Sequence, residues 1–302
     1  MASRPLYLGP LGTALTAIRA PQPGMDRSPS AGEGVHELLA GGYATDRSPH
    51  LCRQWQMSWG WDDDTWWILS GFASGQLGIG PYAMYEPAMV NLLTPNQASG
   101  TEAFKTTLGF SCDATEALAS TSTFAQQARR SLKWSLPASV TSGILTLAAP
   151  QSLIGWPVAP SSYAFSAYCR TGASGDTSFS VTMALRWLDA AGAQVSESVN
   201  TASTVTTAFV QLSLSASPPA TAVYVVPRIK VTAASVSAGA DLHIDQAQLQ
   251  LGGTVTTWRS GEGPALVGLG RLRETVPLAT GPAPGQQARI IQATLTQLGV
   301  AA

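Results

Sequence analysis

Period-two alternation runs through the middle of this chain, and helical periodicity is almost absent there. In Tyr163–Arg170 the odd positions are Tyr163, Phe165, Ala167 and Cys169, and the even ones are Ala164, Ser166, Tyr168 and Arg170. Ser178–Leu188 sets Phe179, Val181, Met183, Leu185 and Trp187 against Ser178, Ser180, Thr182 and Arg186. Val223–Val231 sets Val223, Val225, Ile229 and Val231 against Tyr224, Arg228 and Lys230. Successive strand side chains point to opposite faces, so each segment has one dry and one wetter face. Such strands, joined by turns like Asp189-Ala-Ala-Gly192, predict an antiparallel sandwich. Trp187 shares the dry parity and is expected in the core. One strand breaks its own pattern, with Leu242 and Ile244 on one parity and Ala247, Leu249 and Leu251 on the other. A one-residue bulge near Asp245–Gln246 would return all five to the core face.

The rest of the chain has a different texture. Residues 1–30 are rich in Pro, Gly and Ser and read as an extended N-terminal arm with one short strand around Leu11–Ala20, disordered or laid across a neighbour. Val35–Leu39, Tyr43 and His50–Trp59 read as strands. Asp62, Asp63 and Asp64 precede Thr65-Trp66-Trp67-Ile68-Leu69, the acid-capped start of one short helix limited by Gly71 and Gly75. A calcium loop would need further oxygen ligands at fixed spacing, and the sequence has none there. Gly78-Ile-Gly80-Pro81 is a tight turn rather than a phosphate loop, because no Lys-Ser/Thr and no helix follow. Ala265–Val276 and Ala288–Leu298 are two strands that cannot stand alone. They are expected to return to the N-terminal domain or to reach a neighbouring subunit.

Charge excludes whole classes of function. The 302 residues carry 17 Lys and Arg against 18 Asp and Glu, a net charge of −1, and only 12% are charged. There is no basic footprint for nucleic acid or for an anionic membrane. No apolar run is long enough to span a bilayer, so no membrane insertion is expected. The N-terminus lacks the basic-then-apolar layout of a signal peptide, so the general secretory route is not expected. Cys52, Cys112 and Cys169 are far apart and form no CxxC, which reads as reduced, buried thiols. His36, His50 and His243 have no acid or nucleophile at a known spacing, and GxSxG and HExxH are absent. His243 belongs to a strand's polar face. A glycosidase needs two facing carboxylates, and the sequence shows no such pair. No enzyme, cofactor or metal is expected from the residues.

Two stretches resemble known families. Asn91-Leu-Leu93, Tyr163-Ala-Phe-Ser-Ala-Tyr168, Arg186-Trp-Leu-Asp-Ala-Ala-Gly192 and Ile244-Asp-x-x-Gln-Leu249 occur in an order similar to jelly-roll carbohydrate-binding modules. The flanks resemble minor tail or baseplate proteins, distal-tail-like, of phages of actinobacteria or phage-derived particles. The residues that carry this are Trp55-x-x-x-Trp59, Gly78-x-Gly-Pro-Tyr-x-x-Tyr-Glu-Pro87, Trp258-Arg-x-Gly-Glu-Gly-Pro264 and Thr294-Leu-x-x-Leu298. The resemblances imply an all-β chain, a jelly-roll β-sandwich over 91–258 inserted in or following a smaller β-rich tail domain (31–90 plus 259–302). They imply a structural virion protein of the tail, assembled in the host cytoplasm. Its partners would be other copies of itself in a ring, neighbouring tail proteins and host surface glycan. A stand-alone lectin-like protein is the alternative.

Sugar binding requires aromatic platforms beside polar donors. On the wetter parity these are Tyr168, Arg186, Tyr224 and Arg228, which form one platform if their strands are adjacent. The plain alternative is a subunit contact or a solvated face. Five tryptophans crowd between Trp55 and Trp67, more than a small core uses, and Trp61 and Trp67 are candidates for a subunit interface. In the resembling modules an acid in the closing pattern helps hold a structural calcium, which implies Asp245 with Glu102 as a second ligand. Calcium takes six to eight oxygens, and the plain reading of Asp245 is an acid at a bulge.

Overall fold

The computed structural model describes residues 4–22, 25–37, 43–60, 63–127, 129–137, 142–150, 153–172, 178–232, 240–275 and 290–298. The chain divides into two compact units, residues 1–11, 15–88 and 265–302, and residues 12–14 and 89–264. Strands dominate both, with two helices among the described residues.

The first unit begins with β1 (Leu6–Pro10), β2 (Thr16–Ile18), β3 (Met25–Glu37), β4 (Tyr43–Gly60), α1 (Asp63–Ala73) and β5 (Tyr82–Tyr85). The second contains α2 (Pro95–Ala98), β6 (Phe110–Ser111), β7 (Ala117–Thr121), β8 (Ser131–Leu136), β9 (Ser142–Leu147) and β10 (Trp156–Pro157). It continues through β11 (Tyr163–Thr171), β12 (Phe179–Leu188), β13 (Gln194–Val199), β14 (Ser203–Val205), β15 (Val210–Ala216), β16 (Tyr224–Thr232) and β17 (Ala240–Leu251). The chain then returns to the first unit with β18 (Ala265–Thr275) and β19 (Ile290–Gln297).

In the first unit seven strands make one antiparallel sheet in the order β2-β1-β5-β18-β19-β4-β3. β18 pairs with β5 on one side and with β19 on the other, and β19 pairs with β4. The two C-terminal strands therefore sit in the middle of a sheet opened by the N-terminal residues. The expectation of an extended arm over residues 1–30 is corrected for the described residues, which enter the sheet as β1, β2 and the start of β3, with β2 inside the strand expected around Leu11–Ala20. Leu6 and Leu8 are fully buried in β1, an inner strand between β2 and β5. The alternation of Leu6-Tyr7-Leu8 is too short to outweigh the surrounding Pro and Gly in a sequence reading, and tertiary pairing decides it. The core of this unit gathers Leu6, Leu8, Trp55, Trp59, Leu69, Phe72, Met84 and Leu295. Trp55 Nε1 donates to Glu86 at 2.9 Å and Trp59 Nε1 to the Arg19 carbonyl at 2.7 Å. The acid-rich start does open helix α1, whose Phe72 meets Tyr82 edge-on at 5.2 Å. The turn before β5 needs glycine at position 78, where φ is +105° and an added Cβ would lie 2.6 Å from Pro10.

The second unit is an antiparallel β-sandwich. One sheet runs β15-β11-β17-β8-β7, and the other runs β13-β12-β16-β9-β6, with β10 on β16 and β14 on β12. The dry parities face each other. Tyr163 of the first sheet meets Trp187 of the second at 5.7 Å, and Phe165, Val181, Leu185, Ile229 and Leu249 are fully buried around them. The irregular strand β17 carries the expected bulge. Ser166 pairs with Gln248 but Tyr168 with Asp245, so one residue of β11 faces two of β17. Gln246 takes φ of 49° there, and Ile244 and Ala247 both end buried.

Asn91 closes the module. Its Nδ2 donates to the carbonyls of Ala247 and Arg259, and its Oδ1 accepts from the backbone of Leu93 and Leu249. This one buried side chain joins the first and last segments of the unit. Gly261 bridges to Asn91 so closely that a Cβ would fall 2.1 Å from the Leu93 carbonyl oxygen.

Candidate functional site

The four residues expected to form a sugar platform divide between the two sheets. Tyr168 lies in β11, whereas Arg186 lies in β12 and Tyr224 and Arg228 in β16. The single four-residue platform is thereby corrected: wetter parity identifies the outer face of a strand but not the sheet to which it belongs. Arg186 and Arg228 do come together, on neighbouring strands of one outer face. Tyr224 shares that parity but is 4% exposed, packed with Leu188, Val223 and Val226 into a small buried apolar cluster against which Gly155 lies, so it offers no stacking platform.

The site is built by register. Across β12 and β16, Arg186 stands opposite Val226, Ala184 opposite Arg228 and Thr182 opposite Lys230. Across β12 and β13, Arg186 stands opposite Glu197. Ala184 is small and buried, so it leaves a shallow floor over which the longer side chains of β16 reach toward β13. Lys230 Nζ bonds Glu197 Oε2, and Arg228 Nη1 lies 3.6 Å from Glu197 Oε1. Arg228, Lys230 and Glu197 are recessed, with 17%, 24% and 17% of their side chains exposed. Arginine stems bury well while the charged head stays reachable.

The electrostatics are unbalanced. Two cations, Arg228 and Lys230, share one strand carboxylate, Arg186 adds a third positive charge felt by Arg228, and Asp113, beyond β6, is a second, more distant anion. Burial lowers the Arg228 pKa, the Arg186 charge lowers it further, and Glu197 and Asp113 oppose the shift. Nε of Arg186, Nε of Arg228 and Oε1 of Glu197 are buried without a hydrogen-bond partner. Sequence reading missed Glu197 and Lys230 as site members. Lys230 shared the parity of Arg228, a usable signal, but Glu197 is recognisable only once β13 is known to pair with β12.

The outer face of the other sheet is differently filled. Arg170, beside Tyr168 on the same parity, lies 3.6 Å from the ring centre of Phe124, and His243 stands edge-on to the same ring. Lys133 pairs with Asp241 at 2.8 Å. His243 is on the polar parity, as expected, yet it is 2% exposed. Asp245 sits at the β17 bulge, opposite Tyr168. Its Oδ2 accepts from the Gln126 amide at 2.8 Å and its Oδ1 from the Gln246 amide at 2.7 Å. Burial raises its pKa, against the pull of those amides. Glu102 accepts from the Arg129 amide. Amide donors thus occupy both oxygens of Asp245 and Oε2 of Glu102, and the described residues contain no group of three His, Cys, Asp or Glu able to hold a metal. The residues do not fit the calcium that the resemblance implies.

The cysteine and tryptophan expectations divide too. Cys169 is fully buried, its pKa pushed up by desolvation to about 12, while Cys112 is half-buried. Trp67 of α1 is 69% exposed, and Trp61 lies outside the described residues. No described helix is long and apolar enough to cross a membrane.

No family model and no curated protein matches the sequence. Among solved structures, the chain is similar to the CBM22-1 xylan-binding domain of Xyn10C from Paenibacillus barcinonensis (19% identity, TM-score 0.41, 56% of this chain and 98% of that one). It is similar to the C-terminal family 22 carbohydrate-binding module of Clostridium thermocellum Xyn10B (17% identity, TM-score 0.39, 52% of this chain and 93% of that one). It is also similar to the enzymatically active domain of tailspike protein 4 of bacteriophage CBA120 (16% identity, TM-score 0.41, 54% of this chain), spanning 21% of that chain.

Proposed function

We propose that this chain is a non-enzymatic structural component of a phage tail or baseplate that displays a glycan-binding β-sandwich. One observation carries the reading. The chain leaves the first sheet at β5 and re-enters it at β18, and those two strands are hydrogen-bonded neighbours, Met84 opposite Ala265. The sheet can therefore close whether or not a module is inserted between them, and an inserted module is free to specialise in recognition. The recessed polar face of Arg186, Arg228, Lys230 and Glu197 supports sugar contact, since sugar hydroxyls pair with charged donors and acceptors. The seven-stranded unit would build a ring, because head-to-tail interfaces that close give rotational symmetry. The particle would be assembled in the host cytoplasm, where neighbouring tail proteins and further copies are the partners.

A stand-alone lectin-like protein fits the same face, since all of its residues come from the second unit. Light scattering across a concentration series separates the two. A defined trimer or hexamer is expected for the ring component. A monomer that still binds a glycan array selects the lectin reading. A chain that binds no glycan on such an array removes sugar contact from both.

A further inference from the structure

We infer that the Arg186–Arg228 pair is a subsite for an anionic group, so that the sandwich selects acidic glycans over neutral ones. This rests on the glycan-binding reading above and deepens it.

The geometry points to an under-neutralised pair of guanidinium groups. Arg186 and Arg228 occupy diagonal positions on adjacent strands, with Val226 opposite one and Ala184 opposite the other. Both small neighbours are buried and give the guanidiniums nothing to bond. Glu197, a neighbouring carboxylate, is bonded by Lys230 through Oε2, and its other oxygen, Oε1, stands at ion-pair rather than hydrogen-bond distance from Arg228, so one carboxylate answers three positive charges. Like charges held together in a recess repel more strongly than on open surface, because water screens them less. An anion placed between them relieves that repulsion. Planar guanidiniums suit this role, since each offers parallel N–H donors to two oxygens of a carboxylate or phosphate.

The shared chemistry is a singly charged oxyanion on a polyhydroxylated chain. It can come from the carboxylate of a uronic acid or from the phosphodiester of a polyol-phosphate polymer. Titration calorimetry of the full chain with three probes distinguishes these: hexagalacturonate, a glycerol-phosphate oligomer and xylohexaose. One acidic probe is expected to bind at least tenfold more tightly than xylohexaose, with an affinity that falls as salt rises from 50 to 500 mM. Arg228→Gln and Arg186→Gln are each expected to erase that preference while leaving the melting temperature within a few degrees. Arg228→Lys tests geometry, and it should recover only part of the affinity. Equal binding of acidic and neutral probes, or a preference that survives both glutamine variants, overturns the anion subsite while glycan binding stands. Binding to no probe here and to nothing on a glycan array overturns both.

Discussion

His243 stands edge-on to Phe124, ring centroids 4.9 Å apart and planes at 87°, and this contact holds a nearly inaccessible imidazole. Burial is the main cause that lowers its pKa to about 4, with nearby Arg170 and Lys133 adding to the shift and Asp241 opposing it. The folded state therefore keeps His243 neutral between about pH 4 and its ordinary value near 6.5, where the unfolded chain binds a proton. More protons bound in the unfolded state means that stability rises with pH. The contribution is complete above about pH 6.5 and is lost as pH falls toward 4, by roughly 3 kcal/mol. Asp245 and Glu116, both raised by burial, run the opposite way at the acid end. The His243 share is accordingly the difference between wild type and His243→Gln in urea titrations at pH 7 and pH 4.5. That difference should shrink or reverse at the lower pH, and parallel curves would contradict it.

Asn91 makes four side-chain hydrogen bonds while 1% exposed. Asn91→Ala leaves two buried amides and two carbonyls unmet, at about 1–3 kcal/mol for a fully desolvated group. We expect a loss of about 3 kcal/mol, or roughly 6–12 °C in the melting temperature of a unit this size. Asn91→Asp keeps the acceptor for Leu93 and Leu249 but turns a carboxylate oxygen onto the Ala247 and Arg259 carbonyls, so it should cost at least as much as alanine. Calorimetric scans that show the second unit unchanged would contradict the assignment.

What was legible follows from what strands write into sequence. Parity placed Trp187 in the core and located the bulge in β17, because both depend on neighbours a few residues apart. The acid-capped start of α1 was equally local. The division of Tyr168 from Arg186 depends on which strands pair, which parity alone leaves open. The same limit hid Glu197, whose partner Arg186 is eleven positions earlier across a turn and an irregular register. β1 was misread as an arm because its burial is supplied by β5, far along the chain. Asn91 was visible only as part of a pattern, since its four partners are spread from Leu93 to Arg259.

Glu197 links Lys230 and Arg228 in a recess, and its removal leaves two cations facing Arg186 without a strand counter-charge. Fully buried pairs cost about 3–5 kcal/mol when broken from one side. These side chains retain some solvent, so Glu197→Ala should cost about 1–2 kcal/mol. A double-mutant cycle with Lys230→Ala in urea titrations should give a favourable coupling of about 1 kcal/mol that weakens in 1 M salt. A coupling near zero at low salt would mark the pair as an exposed-type bridge of no energetic weight.

Trp67 is the last case, and it joins structure to assembly. It sits on α1 one position after half-buried Trp66, and it is 69% exposed beside a shallow groove formed with Ile18, Arg19 and Asp64. An exposed tryptophan contributes little to the fold of its own chain, so Trp67→Ser should change stability by no more than about 0.5 kcal/mol. At an interface the same ring would be among the residues that carry most of the binding energy, worth about 2 kcal/mol or more. If the ring reading holds, Trp67→Ser should shift the light-scattering mass from oligomer toward monomer at the same concentration, with an unchanged melting temperature. An oligomer of unaltered mass and concentration dependence would remove Trp67 from the interface and direct attention to the outer edges of the sheet, β2 and β3.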